Sequence, residues 1–250
     1  MALVLLDEHE DGVRVVTLND PDRRNALSPD LQRELGAAVD AVANDDAARV
    51  LVVAGNGPGF CAGADLPAVF GELDRDVADI RARLRVVYSS FLRVRDLPIP
   101  TIAAVHGAAV GAGVNLAMSC DVRIAGPKAV FGVTFSKLGI HPGGGCTYFL
   151  TQALGRQRAL SIILDGGSLT AEEALKLGLV LDVVDDPLET ALQRARKWAQ
   201  LDPALAKDMK RAVGIAERGG FDETLDFEAW AQAASTRSPA LREAIARFVK

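Results

Sequence analysis

Cysteine is scarce in this sequence, which has only Cys61, Cys120 and Cys146 among its 250 residues. The three stand far apart, their number is odd, and no two of them form a CxxC pair. This pattern gives neither a disulfide framework nor the ligand spacing of a zinc site. We therefore expect a reduced protein with no metal ion. The N-terminus lacks the basic start and the longer apolar run of a signal peptide, so we expect a cytoplasmic location.

Concentrated positive charge and long apolar runs are also missing. The net charge is −5 and Lys and Arg form no run, so no nucleic-acid partner is expected. One nearly uncharged stretch, residues 102–120, contains the pair Gly107 and Gly111 at a spacing that also occurs in membrane helices. The same stretch contains His106 and Asn115 and is poor in Leu, Ile and Phe. A buried strand, a glycine loop and a helix explain it better than a membrane span does.

Several familiar catalytic motifs are absent. The sequence has no GxSxG, HExxH or P-loop pattern, so serine-hydrolase, zinc-peptidase and nucleoside-triphosphatase functions have no motif to support them. A dinucleotide site is an alternative, because residues 55–59 read GNGPG directly after an apolar strand. That spacing is GxGxG rather than GxGxxG, and Pro58 removes an N–H from the place where a phosphate would need one. We therefore expect no dinucleotide cofactor.

The segments that are present predict an α/β core followed by helices. Residues 2–8 and Val13–Leu18 are rich in strand-forming residues and flank an Asp-Gly pair, which predicts a hairpin. Residues 50–54 and Thr101–Val105 are short apolar runs of the kind buried on both faces in an α/β fold. Apolar residues at helical spacing then dominate the chain after about Thr170.

Two segments share one design, in which an apolar strand leads into a loop of Gly and Ala and then into a helix start. They are residues 50–65 and residues 101–115. Small residues let a ligand approach the backbone closely, and the first turn of a helix leaves N–H groups free. Two such groups facing one point would form an oxyanion hole. Tight packing of strand against helix also requires small residues, and the spacing alone leaves both interpretations open.

At these loops the sequence resembles the enoyl-CoA hydratase/isomerase, or crotonase, superfamily. The matching segments follow one order along almost the whole chain: LNDPDRRNAL at 18–27, FCAGADL at 60–66, AVHGAAVGAG at 104–113, CDVRIA at 120–125, FG at 131–132, KLG at 137–139, PGGG at 142–145, LTAEEA at 169–174 and GLV at 178–180. Each segment alone is weak, but their combination and order are specific.

The resemblance implies an α/β spiral of ββα units over residues 1–165, followed by a mostly helical oligomerisation region over residues 166–250. It implies a homo-trimer or a hexamer built from two trimers. It also implies an acyl-CoA ligand, so that coenzyme A arrives as part of the substrate and no cofactor is permanently bound.

The resemblance also assigns residues to the ligand. Coenzyme A is expected to lie near a set of residues from the first two matching segments: Arg24, Ala26, Ala62, Ala64, Asp65 and Leu66. The backbone N–H groups of Ala64 and Ala112 correspond to the family's oxyanion hole, which would hold the thioester carbonyl.

The sequence departs from the family at two positions that matter for chemistry. Hydratases of the family carry one glutamate two residues after the last glycine of the second loop, where this chain has Asn115. They carry another four residues after the Phe of the Phe-Gly pair, where this chain has Phe135. Hydration needs a base to activate water and an acid to protonate carbon, and neither Asn nor Phe can do either. Efficient hydration by the usual route is therefore not expected.

Other side chains are candidates for an altered acid and base set. His141 is the best of them, although it could equally be a loop histidine bonded to backbone. Asp65 is expected to cap a helix, and Tyr88 to lie at the core edge. Three functions remain open: an enzyme with altered chemistry (isomerase, hydrolase, decarboxylase or weak hydratase), a non-catalytic acyl-CoA carrier or sensor, and an assembly subunit.

Overall fold

The computed structural model describes residues 1–71 and 76–248, and within them it contains ten β-strands and ten α-helices. The strands are β1 (Val4–Glu8), β2 (Val13–Leu18), β3 (Val50–Gly55), β4 (Gly59–Cys61), β5 (Thr101–Val105), β6 (Ala108–Val110), β7 (Val122–Ala125), β8 (Val130–Gly132), β9 (Ser168–Thr170) and β10 (Asp182–Val183). The helices are α1 (Pro29–Ala43), α2 (Leu66–Phe70), α3 (Val77–Asp96), α4 (Ala112–Ser119), α5 (Cys146–Asp165), α6 (Ala171–Lys176), α7 (Pro187–Ala199), α8 (Pro203–Arg218), α9 (Phe221–Ser235) and α10 (Pro239–Phe248).

The first sheet has six strands in the order β1-β2-β3-β5-β7-β10. Strands β1 and β2 form the predicted hairpin, with Val4 opposite Leu18, and Gly12 takes the positive φ of 84° that its turn requires. The remaining neighbours pair in parallel. Strand β3 is buried along almost its whole length because helices cover both faces of the sheet, as its all-apolar sequence predicts.

The second sheet has four short strands in the order β4-β6-β8-β9, and β4, β6 and β8 run parallel. Each of these three follows directly on a strand of the first sheet, β3, β5 and β7 respectively. The chain thus repeats a strand–strand unit, with helices between, and winds from one sheet to the other as it proceeds. This is the expected spiral.

The prediction that the two glycine-rich segments are entirely loops was wrong. Residues 59–61 form β4 and residues 108–110 form β6. Each strand has only three residues, mostly Gly, Ala, Phe and Cys, so neither strand propensity nor alternation could reveal it. Gly107 packs directly on the neighbouring segment, since a Cβ added to it would lie 2.7 Å from the carbonyl oxygen of Pro58 and 3.0 Å from the Cα of Gly59.

The principal helices form where the sequence predicts them. Ser28 caps α1 by accepting a hydrogen bond from the N–H of Leu31 at 3.2 Å, and Pro29 occupies the first helical position. Leu31, Leu35 and Val42 of α1 are buried. Helix α1 packs against β1 and β2 on one side and against α3 on the other, and residues of α1, α3 and the strands share the main core.

The chain beyond residue 165 is mostly helical, as expected. The proposed division at that residue remains a prediction, and residues 249–250 at its end lie outside the described residues. Strands β9 and β10 follow residue 165 yet pair with the second and the first sheet. Lys210 attaches α8 to the core, because its Nζ donates to the carbonyl of Ile99 at 2.9 Å and lies 2.8 Å from Asp121 Oδ2.

Helix α9 has no buried residue, whereas Ala206 of α8 is buried. Within the two described ranges, no helix has the length and apolar character that crossing a bilayer requires.

Candidate active site

Three loops meet at one edge of the second sheet. Strands β4, β6 and β8 are parallel neighbours, so the residues that follow them emerge at the same end of the sheet. The loop after β4 carries Ala64, the loop after β6 carries Gly111 and Ala112, and the loop after β8 carries Phe135. The carboxyl ends of parallel strands are where ligands bind in open α/β sheets. The fold therefore brings together three segments that lie up to 71 residues apart in sequence.

The backbone N–H of Ala64 points away from the segment that contains Leu27. The neighbouring bonds run from the N–H of Leu27 to the carbonyl of Gly63 at 2.8 Å, and from the N–H of Asp65 to the carbonyl of Leu27 at 3.4 Å. A parallel bridge of this kind leaves the central residue's own N–H pointing away from its partner strand. No acceptor among the described residues bonds the Ala64 N–H, so this donor is free.

The N–H of Ala112 is free for a different reason. Ala112 is the first residue of α4, and the first-turn N–H groups of a helix have no carbonyl partner within the helix. Gly111, which precedes it, has φ of 53° and ψ of −113°, a conformation that strongly favours glycine. Gly63 lies alongside, because a Cβ added to it would stand 3.5 Å from the nitrogen of Ala112. The two free donors thus belong to adjacent backbone segments.

Gly113 allows these two loops to approach. A Cβ added at Gly113 would lie 2.2 Å from the carbonyl oxygen of Cys61, which is backbone and cannot swing aside. Cys61 is fully buried and its thiol donates to the carbonyl of Asn25 at 3.1 Å. Burial raises the pKa of the Cys61 thiol to about 12, so the thiol stays protonated. Cys120 and Cys146 are likewise buried and free.

The Gly113→Ala substitution is expected to destabilise the protein by about 1–3 kcal/mol, because the added methyl group overpacks a rigid contact. Urea unfolding at a fixed protein concentration measures the change. Gly214→Ala is the matched control: it lies inside α8, its Cβ would meet only the flexible end of Arg218 at 3.4 Å, and it should stabilise by up to about 1 kcal/mol. Equal stability of wild type and Gly113→Ala would show that the two loops are not tightly packed.

The residues expected to contact coenzyme A lie along one edge. Backbone hydrogen bonds join residues 24–27 to residues 62–65, among them the bond from the N–H of Ala62 to the carbonyl of Arg24 at 2.9 Å. Arg24, Ala62 and Leu66 are exposed, while Ala26, Ala64 and Asp65 are partly buried. The structure therefore brings all six residues together on an accessible surface.

Two arginines lie on this edge, and only one of them is paired with a carboxylate among the described residues. Arg23 Nη2 lies 2.7 Å from Asp65 Oδ2. Asp65 also accepts the N–H of Ala68, so its expected role as a helix cap is confirmed. The neighbouring Arg24 makes no side-chain ion pair or hydrogen bond with the described residues, which leaves its guanidinium available to an anionic group.

Sequence reasoning missed Asn25 as an organiser of this edge. Asn25 is fully buried, and its Nδ2 donates to the carbonyls of Asn56, Gly59 and Phe60 at 2.9–3.1 Å. Its φ of 57° is one that Asn tolerates better than most residues. The family resemblance includes the Asn-Ala-Leu segment, but the sequence does not indicate which distant carbonyls the Asn25 side chain bonds.

Asn115 lies one helical turn after Ala112 and is 1% exposed. Its Nδ2 donates to the carbonyl of Gly143 at 2.8 Å, which fixes the orientation of the carboxamide. Its Oδ1 is buried and makes no hydrogen bond with the described residues.

Phe135 stands on the other side of the same site. A Cβ added at Gly111 would lie 3.7 Å from Phe135 Cζ, so the ring reaches the residue that precedes the free N–H of Ala112. The ring is partly buried and packs against the main core. The two positions that the resemblance matches to the hydratase glutamates thus both lie close to the start of α4, and here they present an amide and an apolar ring.

Tyr88 of α3 also reaches this region, which its expected place at the core edge did not reveal. Gly143 has no room for a side chain because a Cβ there would lie 2.1 Å from the Tyr88 hydroxyl oxygen. Burial raises the pKa of Tyr88, and the hydrogen bond from the Gly144 N–H to the hydroxyl opposes that rise only in part. The hydroxyl is therefore protonated at neutral pH, and its proton can be donated.

His141 is exposed, and its Nδ1 lies 2.7 Å from the carbonyl oxygen of Pro142. The structure thus places it on the outside of a loop whose inner residues, Gly143 and Gly144, contact Asn115. Asp79 is exposed on α3. In the part of the chain that the structure describes, His, Cys, Asp and Glu side chains form no group of three suited to a metal ion.

Comparison with known proteins gives a consistent result. The family model for enoyl-CoA hydratase/isomerase matches residues 8–250. The Mycobacterium tuberculosis protein named probable enoyl-CoA hydratase EchA14 is 47% identical over 194 residues, which cover 77% of this chain and 73% of that protein. The 1,2-epoxyphenylacetyl-CoA isomerase of Escherichia coli is 36% identical over 248 residues, which cover 98% of this chain and 95% of that protein.

The solved structures agree on the fold. The crystal structure of enoyl-CoA hydratase from Bacillus anthracis superposes with a TM-score of 0.90 at 30% sequence identity, and the match covers 98% of this chain and 95% of that chain.

Proposed function

Because the chain belongs to the enoyl-CoA hydratase/isomerase family, we propose that it binds a fatty acyl-CoA thioester whose carbonyl oxygen accepts hydrogen bonds from the N–H groups of Ala64 and Ala112. The observation that carries this proposal is the pair of free N–H groups on adjacent loops. Such donors act most strongly where charge develops, which in a thioester is the carbonyl oxygen of an enolate or tetrahedral form. Neither donor depends on a particular side chain.

Coenzyme A is proposed to lie along the edge formed by residues 24–27 and 62–65. The exposed guanidinium of Arg24 suits a phosphate oxygen, since Arg binds phosphate through its planar fork of donors. Small residues at Ala26 and Ala62 leave space for the pantetheine arm beside the backbone.

The proposed chemistry excludes efficient hydration by two glutamates. Asn115 cannot take up or release a proton, and the Phe135 ring makes the acyl end of the site drier. An enzyme with this site would use the two N–H groups to stabilise an enolate and would find its acid or base elsewhere. Isomerase, hydrolase, decarboxylase and weak hydratase activities all fit this description. The isomerase activity named for the relative from Escherichia coli supports the first of these.

A non-catalytic acyl-CoA carrier or sensor is the second candidate. The observation that favours it is the nature of the side chains beside the two donors, which are the carboxamide of Asn115 and the ring of Phe135. An assembly subunit with an unused site is the third.

Mass spectrometry on the wild-type protein incubated with a panel of acyl-CoAs and enoyl-CoAs separates the three candidates. A bound thioester together with a product of changed mass or structure supports an enzyme. A bound thioester recovered unchanged supports a carrier or sensor. Failure of every thioester to bind at concentrations near 1 mM would overturn the proposal in favour of an assembly role.

Self-association is proposed to occur through α8, α9 and α10. These helices expose several large apolar side chains, each at least 49% accessible: Met209, Val213, Phe221, Leu225, Trp230 and Ile245. A monomeric protein rarely exposes so many apolar residues on one segment, and such surfaces usually mark protein–protein contacts. The family resemblance implies that the partner is a second and third copy of the chain.

We expect a trimer in sedimentation at micromolar concentration, with a mass three times the 26.4 kDa of one chain, or twice that mass for a hexamer. Replacing Phe221 and Trp230 together by Asp should dissociate it, because two charges would be buried in the interface. Leu175→Asp on α6, a residue that is 42% exposed outside these helices, is the matched control and should leave the mass unchanged. A monomeric wild type would contradict the prediction.

A further inference from the structure

The Oδ1 atom of Asn115 has a property that the proposed function does not use. It is a buried acceptor, and no N–H or O–H of the described residues donates to it. The carboxamide cannot rotate to find a partner without losing the bond from Nδ2 to the Gly143 carbonyl at 2.8 Å. Buried polar atoms in folded proteins almost always have a hydrogen-bond partner, because an unpaired acceptor loses its bond to water and gains nothing. A donor from a ligand would therefore be strongly favoured here.

The position of this acceptor relates it to the thioester. Asn115 follows Ala112 by three residues on α4, so the two share a face of the helix. A helical side chain leans toward the N-terminus of its helix, which directs the carboxamide toward the first turn and the free N–H of Ala112. If the thioester carbonyl is bound there, as in the proposed function, the first carbons of the acyl group lie beside Oδ1.

Among the apolar rings of this region, two polar side chains, Asn115 and Tyr88, can bond a hydroxyl group on the acyl chain. Gly144 is in contact with both side chains, since a Cβ added to it would lie 2.8 Å from Asn115 Nδ2 and 3.1 Å from Tyr88 Cδ1. The Tyr88 hydroxyl lies against Gly143, since a Cβ added there would stand 2.1 Å from its oxygen, and burial raises the pKa of Tyr88, so the hydroxyl keeps a proton that it can donate. Asn115 thus offers an acceptor and Tyr88 a donor, and a hydroxyl group can satisfy both.

We propose that Asn115 is a specificity-determining residue whose Oδ1 accepts a hydrogen bond from a hydroxyl on one of the first two carbons beyond the thioester carbonyl of the acyl group. The preferred ligands are hydroxylated acyl-CoAs, and Tyr88 assists by donating to the same hydroxyl. This inference rests on the proposed function, because it needs the thioester at Ala64 and Ala112.

The test compares the affinities of 2-hydroxybutyryl-CoA, 3-hydroxybutyryl-CoA and butyryl-CoA, each measured by calorimetry. Wild-type protein should bind one of the hydroxylated forms about tenfold more tightly than butyryl-CoA, as one good hydrogen bond to a buried acceptor allows. In Asn115→Leu, which keeps the volume and removes the acceptor, this ratio should fall to about one while butyryl-CoA binds at least as well as before.

Ser119→Ala is the matched control. Ser119 lies one turn further along α4 and is also buried, and among the described residues its hydroxyl bonds only the backbone carbonyl of Asn115, at 2.8 Å. Its removal should leave the tenfold ratio in place. Equal affinity of wild type for all three thioesters would overturn the inference and leave the proposed function standing. A ratio that persists in Asn115→Leu would also overturn it. Failure of all three to bind would overturn the proposed function, and the inference with it.

Discussion

The Ala112→Pro variant is expected to lose a factor of about 10²–10³ in turnover on whichever acyl-CoA the wild type converts, because it removes one of the two N–H groups proposed to bind the thioester oxygen. Proline lacks the N–H but fits the first position of a helix, where Ala112 lies. The Ala112 N–H makes no hydrogen bond within the described protein, so the fold loses no internal bond. The substitution therefore removes one hydrogen-bond donor, and we expect helix α4 to fold as before.

Steady-state kinetics on the best substrate of the thioester panel measure this effect, with unfolding curves to confirm that the variant folds. Ala112→Gly is the matched control, since it loses the methyl group but keeps the N–H, and it should retain turnover within about tenfold. If the protein proves to be a carrier, the corresponding result is a dissociation constant raised by about two- to tenfold in Ala112→Pro. Unchanged turnover and unchanged affinity would show that the Ala112 N–H does not contact the thioester.

The long elements of this fold could be predicted from residue patterns. Helix α1 has a cap at Ser28, proline at its first position and an apolar stripe, and all three indications agree. Strands β3 and β5 are uninterrupted apolar runs and are buried as predicted. These elements are determined by residues close together in sequence, so the sequence alone predicts them.

The second sheet could not be predicted in the same way. Strands β4 and β6 have three residues each and are rich in glycine and alanine, which have low strand propensity. They exist because each pairs with a neighbour from another unit of the spiral, so their cause is tertiary. The expectation of a spiral came from the family resemblance rather than from residue patterns.

Some features of the candidate site could be predicted from the sequence, and others could not. The positions of Ala64, Ala112, Asn115 and Phe135 could be assigned from the resemblance, and the structure gathers all four at one edge. The contact between Tyr88 and Gly143 could not, because 55 residues separate them and the contact depends on the absence of a side chain at Gly143. The unpaired oxygen of Asn115 likewise emerges only once its amide nitrogen is seen to bond the Gly143 carbonyl.

The hydration reaction is where we expect the largest departure from the family. Each positioned acid or base typically contributes a factor of about 10²–10⁴, and two are replaced, at Asn115 and Phe135. An enzyme of median speed turns over about ten times per second, so the expected rate for hydration here is about 10⁻³ s⁻¹ or below. We do not expect His141 to compensate, because it is exposed and its Nδ1 lies 2.7 Å from the Pro142 carbonyl oxygen.

Restoring the glutamates is a poor test of this account. Asn115 is almost fully buried, and its Nδ2 bonds the Gly143 carbonyl oxygen, which cannot donate to a carboxylate. Two glutamates placed so close together would raise each other's pKa, and the buried charge could destabilise α4. A failure of Asn115→Glu combined with Phe135→Glu to hydrate would thus have several causes, so the wild type is the better subject.

The most direct measurement is therefore made on wild-type protein with crotonyl-CoA, recording binding and hydration in the same sample. Binding is followed by calorimetry, and formation of 3-hydroxybutyryl-CoA is followed by chromatography over several hours. We predict that crotonyl-CoA binds and that hydration proceeds at about 10⁻³ s⁻¹ or more slowly. Hydration at about 10 s⁻¹ or faster would contradict the account, because it would mean that the acid and base of this site lie somewhere other than at Asn115 and Phe135.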